Sequence, residues 1–64
     1  MEIGQKIKAV RLKLQMSQTE FAELFDVSFA TVNRWENGKT TPNYRARRVF
    51  DELCREKNII IENL

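Results

Sequence analysis

The side chains of this sequence that can do chemistry are basic groups and carboxamides, because the usual catalytic and metal-binding groups are scarce. The chain has no histidine and one cysteine, so it lacks the commonest acid/base catalyst and the commonest metal ligand. Its net charge is only +2, but residues 39–48 contain Lys39 and three arginines with no acidic residue between them. Residues 49–64 carry an excess of acidic groups instead. This division of charge is typical of a protein that turns one face toward an anionic polymer.

Length and composition predict a single small soluble domain. At 64 residues, such a domain buries about 60% of the surface that its unfolded chain exposes. No apolar run approaches the ~20 residues of a membrane span, and the lysines near the N-terminus alternate with apolar residues, unlike those of a secretory signal. The cytoplasm is therefore the expected compartment. The lone Cys54 excludes an internal disulfide and fits a reducing compartment, although a bond between two chains stays open.

The sequence also argues against an enzyme. An active site needs a pocket with matched acid and base groups. Here there is no glycine-rich phosphate loop and no cluster of metal-binding residue types, and adjacent carboxylates occur only on a helix face that is predicted to be exposed. We expect no cofactor, no metal ion and no small-molecule ligand.

Two short helices joined by a tight turn are predicted between Ser17 and Pro42, and they must position the polar side chains. Ser17 with Glu20 matches a capping box, in which each residue bonds the backbone of the other at a helix start. After a break of two residues, Ser28 can cap the second helix. Gly38 ends it, because the residue past a helix C-terminus often needs positive φ. The first of these helices carries a run of apolar residues, of which all but the small alanine are predicted core: Phe21, Ala22, Leu24 and Phe25.

Several positions of this segment form a recognisable pattern: Gln18 at the start, Ala22 at the helix crossing, Val27 and Val32 inside, and Trp35, Glu36, Asn37 and Gly38 at the end. With these residues at this spacing, the segment resembles the helix-turn-helix of the Cro and phage-repressor superfamily, the xenobiotic-response-element type of bacterial and phage regulator. The resemblance covers roughly residues 3 to 57 and implies an all-α, lambda-repressor-like bundle of four to five short helices, with the helix-turn-helix at helices 2 and 3. The family usually has glycine where Asp26 stands, but aspartate tolerates the left-handed conformation better than most residues.

A first and a fourth helix are predicted to flank this motif. The first runs from Met1 to Gln15, and the fourth from about Pro42, which opens it, to Lys57, with Asn58 ending it. Surface pairs of opposite charge are predicted on the fourth helix between Arg47 and Asp51 and between Arg48 and Glu52. Apolar stripes predict the core contribution of both helices, namely Ile3, Ile7, Val10 and Leu14 in the first and Ala46, Val49, Phe50, Leu53 and Cys54 in the fourth.

The family comparison makes the outward face of the third helix, about residues 28–37, the base-reading surface. An α-helix fits the major groove of B-DNA, where each base pair shows a different pattern of donors, acceptors and methyl groups. Arg34 can then bond guanine, Asn33 can pair with adenine, and Phe29 can pack on a thymine methyl. Alternatives stay open for Phe29, as a contact to a partner protein or to its own domain, and for Arg34, as a phosphate contact or plain surface charge. The predicted base-reading residues are Ser28, Phe29, Ala30, Asn33 and Arg34.

The resemblance also implies phosphate contacts on both sides of the reading helix and a structural ion pair. The ion pair would join Arg11 to Glu36 and tie the first helix to the end of the third. The predicted phosphate-binding residues are Gln18, Thr19, Thr31, Asn37, Lys39, Thr40, Tyr44 and Arg45. The predicted structural residues are Arg11, Glu36, Ala22, Val27, Val32 and Trp35.

We predict a DNA-binding domain over residues 1–58 and a C-terminal tail over residues 59–64. The apolar run Ile59–Ile61 either folds back on Ile3 and Ile7 or pairs with a second copy of the chain, for which a short strand or an extended contact is possible. The leading function is binding of specific double-stranded DNA, with transcription regulation and a homodimer on a palindromic site as further expectations. The alternative is a protein-interaction domain or an antitoxin-type module with a protein partner, which would use Phe29 and Ile59–Ile61 as contact surfaces.

Overall fold

The computed structural model of the protein describes residues 2–63, which form four α-helices and a final turn of 3₁₀ helix, with no strand among them. This architecture confirms the predicted all-α fold. No helix in the described part of the chain is long and apolar enough to cross a membrane. In chain order the helices are α1 (Ile3–Lys13), α2 (Gln18–Phe25), α3 (Phe29–Glu36) and α4 (Tyr44–Glu56), and the 3₁₀ turn is Ile61–Asn63.

Polar side chains cap the starts of α2, α3 and α4. Ser17 Oγ accepts from the Glu20 backbone N-H at 3.0 Å, and the Glu20 carboxylate accepts from the Ser17 N-H at 2.8 Å, so the predicted capping box is present. Ser28 Oγ accepts from the Thr31 N-H at 3.2 Å, as predicted. The start predicted for α4 was wrong. Pro42 lies outside the helix, because the Asn43 side chain is the cap and accepts from the Ala46 N-H at 2.9 Å.

Three non-glycine residues with positive φ mark the ends of helices. Asp26 has φ 55° after α2, and Asn58 has φ 55° after α4, so both chain reversals lie where the sequence predicts them. Gly38 has φ 73° after α3. The first helix is shorter than predicted, because α1 ends at Lys13 and Gln15 turns the chain with φ 58°. Met1, predicted as its first residue, lies outside the described residues.

Side chains from all four helices form the core. Phe21, Phe50 and Val32 are completely or almost completely buried, and the Phe25 ring meets Trp35 edge-on with 5.6 Å between ring centroids. Cys54 is buried in this core, as predicted, and burial raises the pKa of its thiol.

The prediction that Leu24 belongs to the core was wrong, since 45% of its surface is exposed. Phe21, Ala22 and Phe25 define the inward face of α2, and Leu24 lies to one side of that face. There it lines a shallow open groove toward α4 with Val49 and Leu53. Its spacing along α2 places Leu24 among the predicted core residues. However, no element of the described chain covers the side of α2 on which Leu24 lies.

Helices α1 and α3 approach closely at Gly4 in α1, a residue that sequence reasoning did not single out. A methyl group added to Gly4 would overlap the backbone carbonyl oxygen of Trp35 and lie 3.5 Å from the Glu36 Cα. Only glycine therefore lets α1 cross the end of α3 at this distance. A glycine inside a predicted helix was the available signal, because it costs helix stability and often has a packing reason.

The C-terminal segment returns to the core through one of its three isoleucines. Ile59 is buried among the core residues, and its backbone N-H donates to the Cys54 carbonyl at 2.8 Å. Ile61 is partly buried, whereas Ile60 is 61% exposed. Of the alternatives for this segment, the described residues show packing on the core with a 3₁₀ turn instead of a strand. Pairing with a second copy stays a prediction, as does the boundary at residue 58.

The ion pairs predicted along α4 are not formed. Arg47 Nε donates instead to the Pro42 carbonyl at 3.3 Å, and the Arg48 guanidinium lies 6.0 Å from the centre of the Tyr44 ring. Within residues 2–63 the salt bridge present is the one between Arg11 and Glu36. The correct spacing on a helix permits such pairs, but exposed pairs contribute too little to select one rotamer.

Candidate nucleic-acid interface

The third helix, α3, is held on its inner side and free on its outer side. Val32 is fully buried and Trp35 is 4% exposed, so both anchor the helix in the core. Val27, just before the helix, packs against the same core from a partly buried position. On the opposite side, Phe29 is 51% exposed, and Ala30 and Arg34 are exposed as well. The outer side thus offers an apolar ring, a small residue and a guanidinium to a ligand.

Hydroxyl groups at the start of α3 interact with one another and with the guanidinium. Ser28 Oγ and Thr31 Oγ1 are 2.9 Å apart. Arg34 Nη2 donates to Thr31 Oγ1 at 3.4 Å, which draws the guanidinium back toward the N-terminus of its helix. Most of the Arg34 donors stay free, because a guanidinium has five N-H groups. Thr31 is half-buried and already bonded, so it differs from the exposed residues that are predicted to bind phosphate.

A bidentate ion pair joins α1 to the end of α3. Arg11 Nε donates to Glu36 Oε2 at 2.7 Å, and Arg11 Nη2 donates to Glu36 Oε1 at 3.0 Å. Arg11 Nη1 also donates to the Met16 carbonyl at 2.9 Å. The two side chains are only 11% and 4% exposed. The hydrogen bonds to Glu36 raise the pKa of Arg11, which adds to the ordinary preference of a guanidinium for its charged form.

Three carboxamides extend this ion pair across α2 and along α3. Gln18 Nε2 donates to Glu36 Oε1 at 3.0 Å. Asn33 Nδ2 donates to Gln18 Oε1 at 3.3 Å, and Asn37 Nδ2 donates to Asn33 Oδ1 at 3.1 Å. We call Gln18, Asn33 and Asn37 the amide chain. Sequence reasoning missed it, although the spacing of four between Asn33 and Asn37 was an available signal.

The amide chain changes the position expected for two predicted site residues. Gln18, predicted as a phosphate contact, directs its side chain to Glu36 and Asn33 and is half-buried. Asn33, predicted as a fully outward reading residue, is half-buried and bonded at both ends of its carboxamide. Asn37 is exposed while bonded to Asn33. Helical periodicity already places Asn33 and Asn37 side by side, but only the packing of α2 against α3 brings Gln18 to Asn33.

The remaining predicted phosphate contacts are exposed at both ends of the motif. Thr19 lies in the first turn of α2, where backbone N-H groups point outward and the helix dipole favours an anion. The others lie in the segment from the end of α3 to the start of α4, where the Lys39 backbone N-H donates to the Arg34 carbonyl at 2.9 Å. They are Lys39, Thr40, Tyr44 and Arg45, with Tyr44 78% exposed.

A family model described as helix-turn-helix matches residues 7–46 of the chain. The chain belongs to the helix-turn-helix family of Cro and phage-repressor type. The match spans α2, α3 and the turn between them, as well as most of α1 and the start of α4. This helix-turn-helix is a DNA-binding one. Comparisons with curated proteins and with solved structures give no match.

Proposed function

We propose that this helix-turn-helix protein binds specific sequences in double-stranded DNA and regulates transcription in the cytoplasm. The observation that carries the proposal is the free side of α3, which presents Phe29, Ala30 and Arg34 while Val32 and Trp35 hold the other side. A helix exposed in this way can enter the major groove, which is about 12 Å wide. Sequence preference then arises from the few side chains that reach the base edges.

Two exposed residues of α3 suit different features of a base pair. The guanidinium of Arg34 matches guanine O6 and N7, and such a bidentate contact typically gives about 1–3 kcal/mol of discrimination against other bases. The ring of Phe29 cannot bond a base edge, but it can pack on the methyl group of thymine. We therefore expect guanine and thymine among the bases under α3.

Phosphate contacts at both ends of the motif would set the register of α3 in the groove. Thr19 lies on one side, and Lys39, Thr40, Tyr44 and Arg45 lie on the other. Such contacts fix orientation without reading sequence, and they make affinity fall steeply as salt rises. A homodimer on a palindromic site would place two copies of α3 about 34–36 Å apart.

Selection of bound sequences from a random double-stranded DNA pool tests this proposal with three variants. Arg34→Ala should change the preferred sequence, because it removes a base contact, whereas Lys39→Ala should weaken all sequences alike. Arg55→Ala is the charge-matched control, since Arg55 is exposed near the end of α4 and should leave both affinity and preference unchanged. Failure of the wild-type protein to enrich any sequence at low salt would contradict the proposal.

The exposed apolar side chains favour a second candidate, a protein-interaction or antitoxin-type module. Phe29 and Ile60 are 51% and 61% exposed, although burial of Ile59 leaves a smaller tail surface than the sequence suggests. The salt dependence of binding distinguishes the two functions. Binding through phosphates weakens steeply with salt, whereas an apolar contact between proteins is insensitive to it.

A further inference from the structure

We propose that Gln18 is a positioning residue that determines sequence preference, because its bond to Glu36 orients the Asn33 carboxamide and so selects the base pair that Asn33 reads. This inference rests on the proposed function. It assigns Gln18 a role other than the phosphate contact that its place at the start of α2 predicts.

The direction of the amide chain follows from the chemistry of its first member. A carboxylate only accepts hydrogen bonds and a guanidinium only donates them. Arg11 occupies both oxygens of Glu36, and Gln18 approaches Oε1 as a further partner. The end of Gln18 that faces Glu36 must therefore be its NH₂ group.

This constraint propagates along α3. Because Gln18 Nε2 faces Glu36, Gln18 Oε1 faces Asn33, and the Asn33 side chain must present its Nδ2 to α2. Its Oδ1 then points to the C-terminal end of α3, where Asn37 Nδ2 donates to it. A reversed Asn33 would place its oxygen against Gln18 Oε1, and neither of these two oxygens could donate a hydrogen bond. One orientation is thus strongly favoured before any ligand is bound.

The orientation matters because an amide distinguishes the two ends of adenine. In the major groove adenine presents the acceptor N7 beside the donor N6. Asn33 retains one N-H and one lone pair beyond its internal bonds. Because the positions of this N-H and this oxygen are fixed, Asn33 matches only one order of N7 and N6 across the groove, which favours adenine on one strand over adenine on the other.

Selection from a random DNA pool distinguishes positioning from phosphate contact. Asn33→Ala first identifies the base position that Asn33 reads. Gln18→Met keeps the length of the side chain but removes its hydrogen bonds, and we expect adenine preference at that one position to fall about fivefold or more. The matched control is Thr19→Ala, at the same exposed helix end, which should weaken all sequences alike. A Gln18→Met protein that keeps the full motif with uniformly lower affinity would overturn the inference.

A measurement without DNA keeps the inference separate from the proposed function. In ¹⁵N-labelled protein, Gln18→Met should shift the side-chain NH₂ resonances of both Asn33 and Asn37, whereas Thr19→Ala should shift neither. Unchanged Asn33 resonances would overturn the inference even if DNA binding is established. If the wild type enriches no DNA, the proposed function fails, and with it the claim about base preference. Should Gln18→Met fail to fold, Gln18→Ala, which also removes both hydrogen bonds of the side chain, should reduce the preference at the same base, and an unaltered motif would count against the inference.

Discussion

The polar contacts between α1, α2 and α3 and the groove between α2 and α4 are built on different interactions. Arg11, Gln18 and Glu36 meet through hydrogen bonds of 2.7 to 3.0 Å, in places that exclude most solvent. The groove is open to solvent and is lined by apolar side chains such as Leu24 and Leu53, with the exposed carboxylates of Glu52 and Glu56 also lining it.

This difference indicates where a single substitution should reduce the stability of the protein most. A directional contact has one geometry, and removing one partner leaves the other buried without its bond. Apolar contact beside solvent has no required direction, so a smaller side chain loses only part of its buried area. Buried Val32 and Trp35 anchor helix α3, and directional contacts at Glu36 fix its end in addition, which suits a helix whose exact orientation sets what it binds.

Between the polar contacts and the groove, the largest effect on stability is expected from removing the ion pair. Arg11→Met should destabilise the protein by about 3 kcal/mol or more, because it leaves the Glu36 carboxylate buried with only Gln18 as a donor. Urea unfolding followed by the fluorescence of Trp35, the single tryptophan, measures the change. The matched control is Lys13→Met, since Lys13 is exposed on the same helix and should shift the midpoint little. Equal midpoints for Arg11→Met and wild type would show that the ion pair does not support the fold.

A smaller effect is expected at the helix crossing. Gly4→Ala should cost about 2 kcal/mol, because the methyl group would push α1 away from the backbone of Trp35 and Glu36. Alanine is normally the better residue inside a helix by ~1 kcal/mol, so a loss of stability in the same unfolding assay isolates the crossing. Lys8→Ala, at an exposed position of α1, is the control. A stabilised Gly4→Ala protein would mean that the two helices can separate at no cost.

The capping box at the start of α2 should contribute less to stability than the ion pair or the helix crossing. Ser17→Ala removes the side-chain bond to the Glu20 N-H and should cost about 1 kcal/mol. The thermal midpoint of the variant, followed by circular dichroism, gives the change. Thr19→Ala, which removes a hydroxyl that caps no helix, serves as the control. Identical melting of Ser17→Ala and wild type would contradict the role of this cap.

The same box predicts a pH dependence. Hydrogen bonds from Ser17 lower the pKa of Glu20 in the folded state. Its contribution is therefore present above the pKa of the unfolded chain and is lost as pH falls through the lower, folded value. Glu20→Gln should flatten this part of the stability profile between neutral and acid pH. Parallel profiles for variant and wild type would exclude a contribution from Glu20.

The smallest effect is expected in the groove. Leu24→Ala should cost about 0.5 kcal/mol, as at other sites that keep much of their surface in solvent. Phe21→Ala, one turn earlier on the buried face of α2, should cost about 3–5 kcal/mol. Urea unfolding of the two variants gives the ratio of their losses in the free energy of unfolding. A similar loss for both would mean that Leu24 is covered in solution.

Local chemistry in the sequence predicted most of the framework. Ser17, Ser28 and Asp26 set helix starts and a chain reversal through bonds and φ angles within a few residues, and such signals need no tertiary context. The start of α4 was misplaced because Pro42 and Asn43 both favour a helix start, and the side-chain cap of Asn43 decided between them. The exposure of Leu24 could not be predicted, because periodicity indicates a side of a helix but not which neighbour covers it.

The sequence by itself determined the family, the four helices, the buried side of α3 and the exposure of Phe29, Ala30 and Arg34 on its other side. Those properties follow from residue type, spacing and capping, which act along the chain. Only the tertiary structure decided that Gly4 meets Trp35 and that Gln18 turns from the surface to Glu36 and Asn33. Both contacts join residues far apart in sequence, and the orientation of a carboxamide depends on the donors and acceptors that packing places around it.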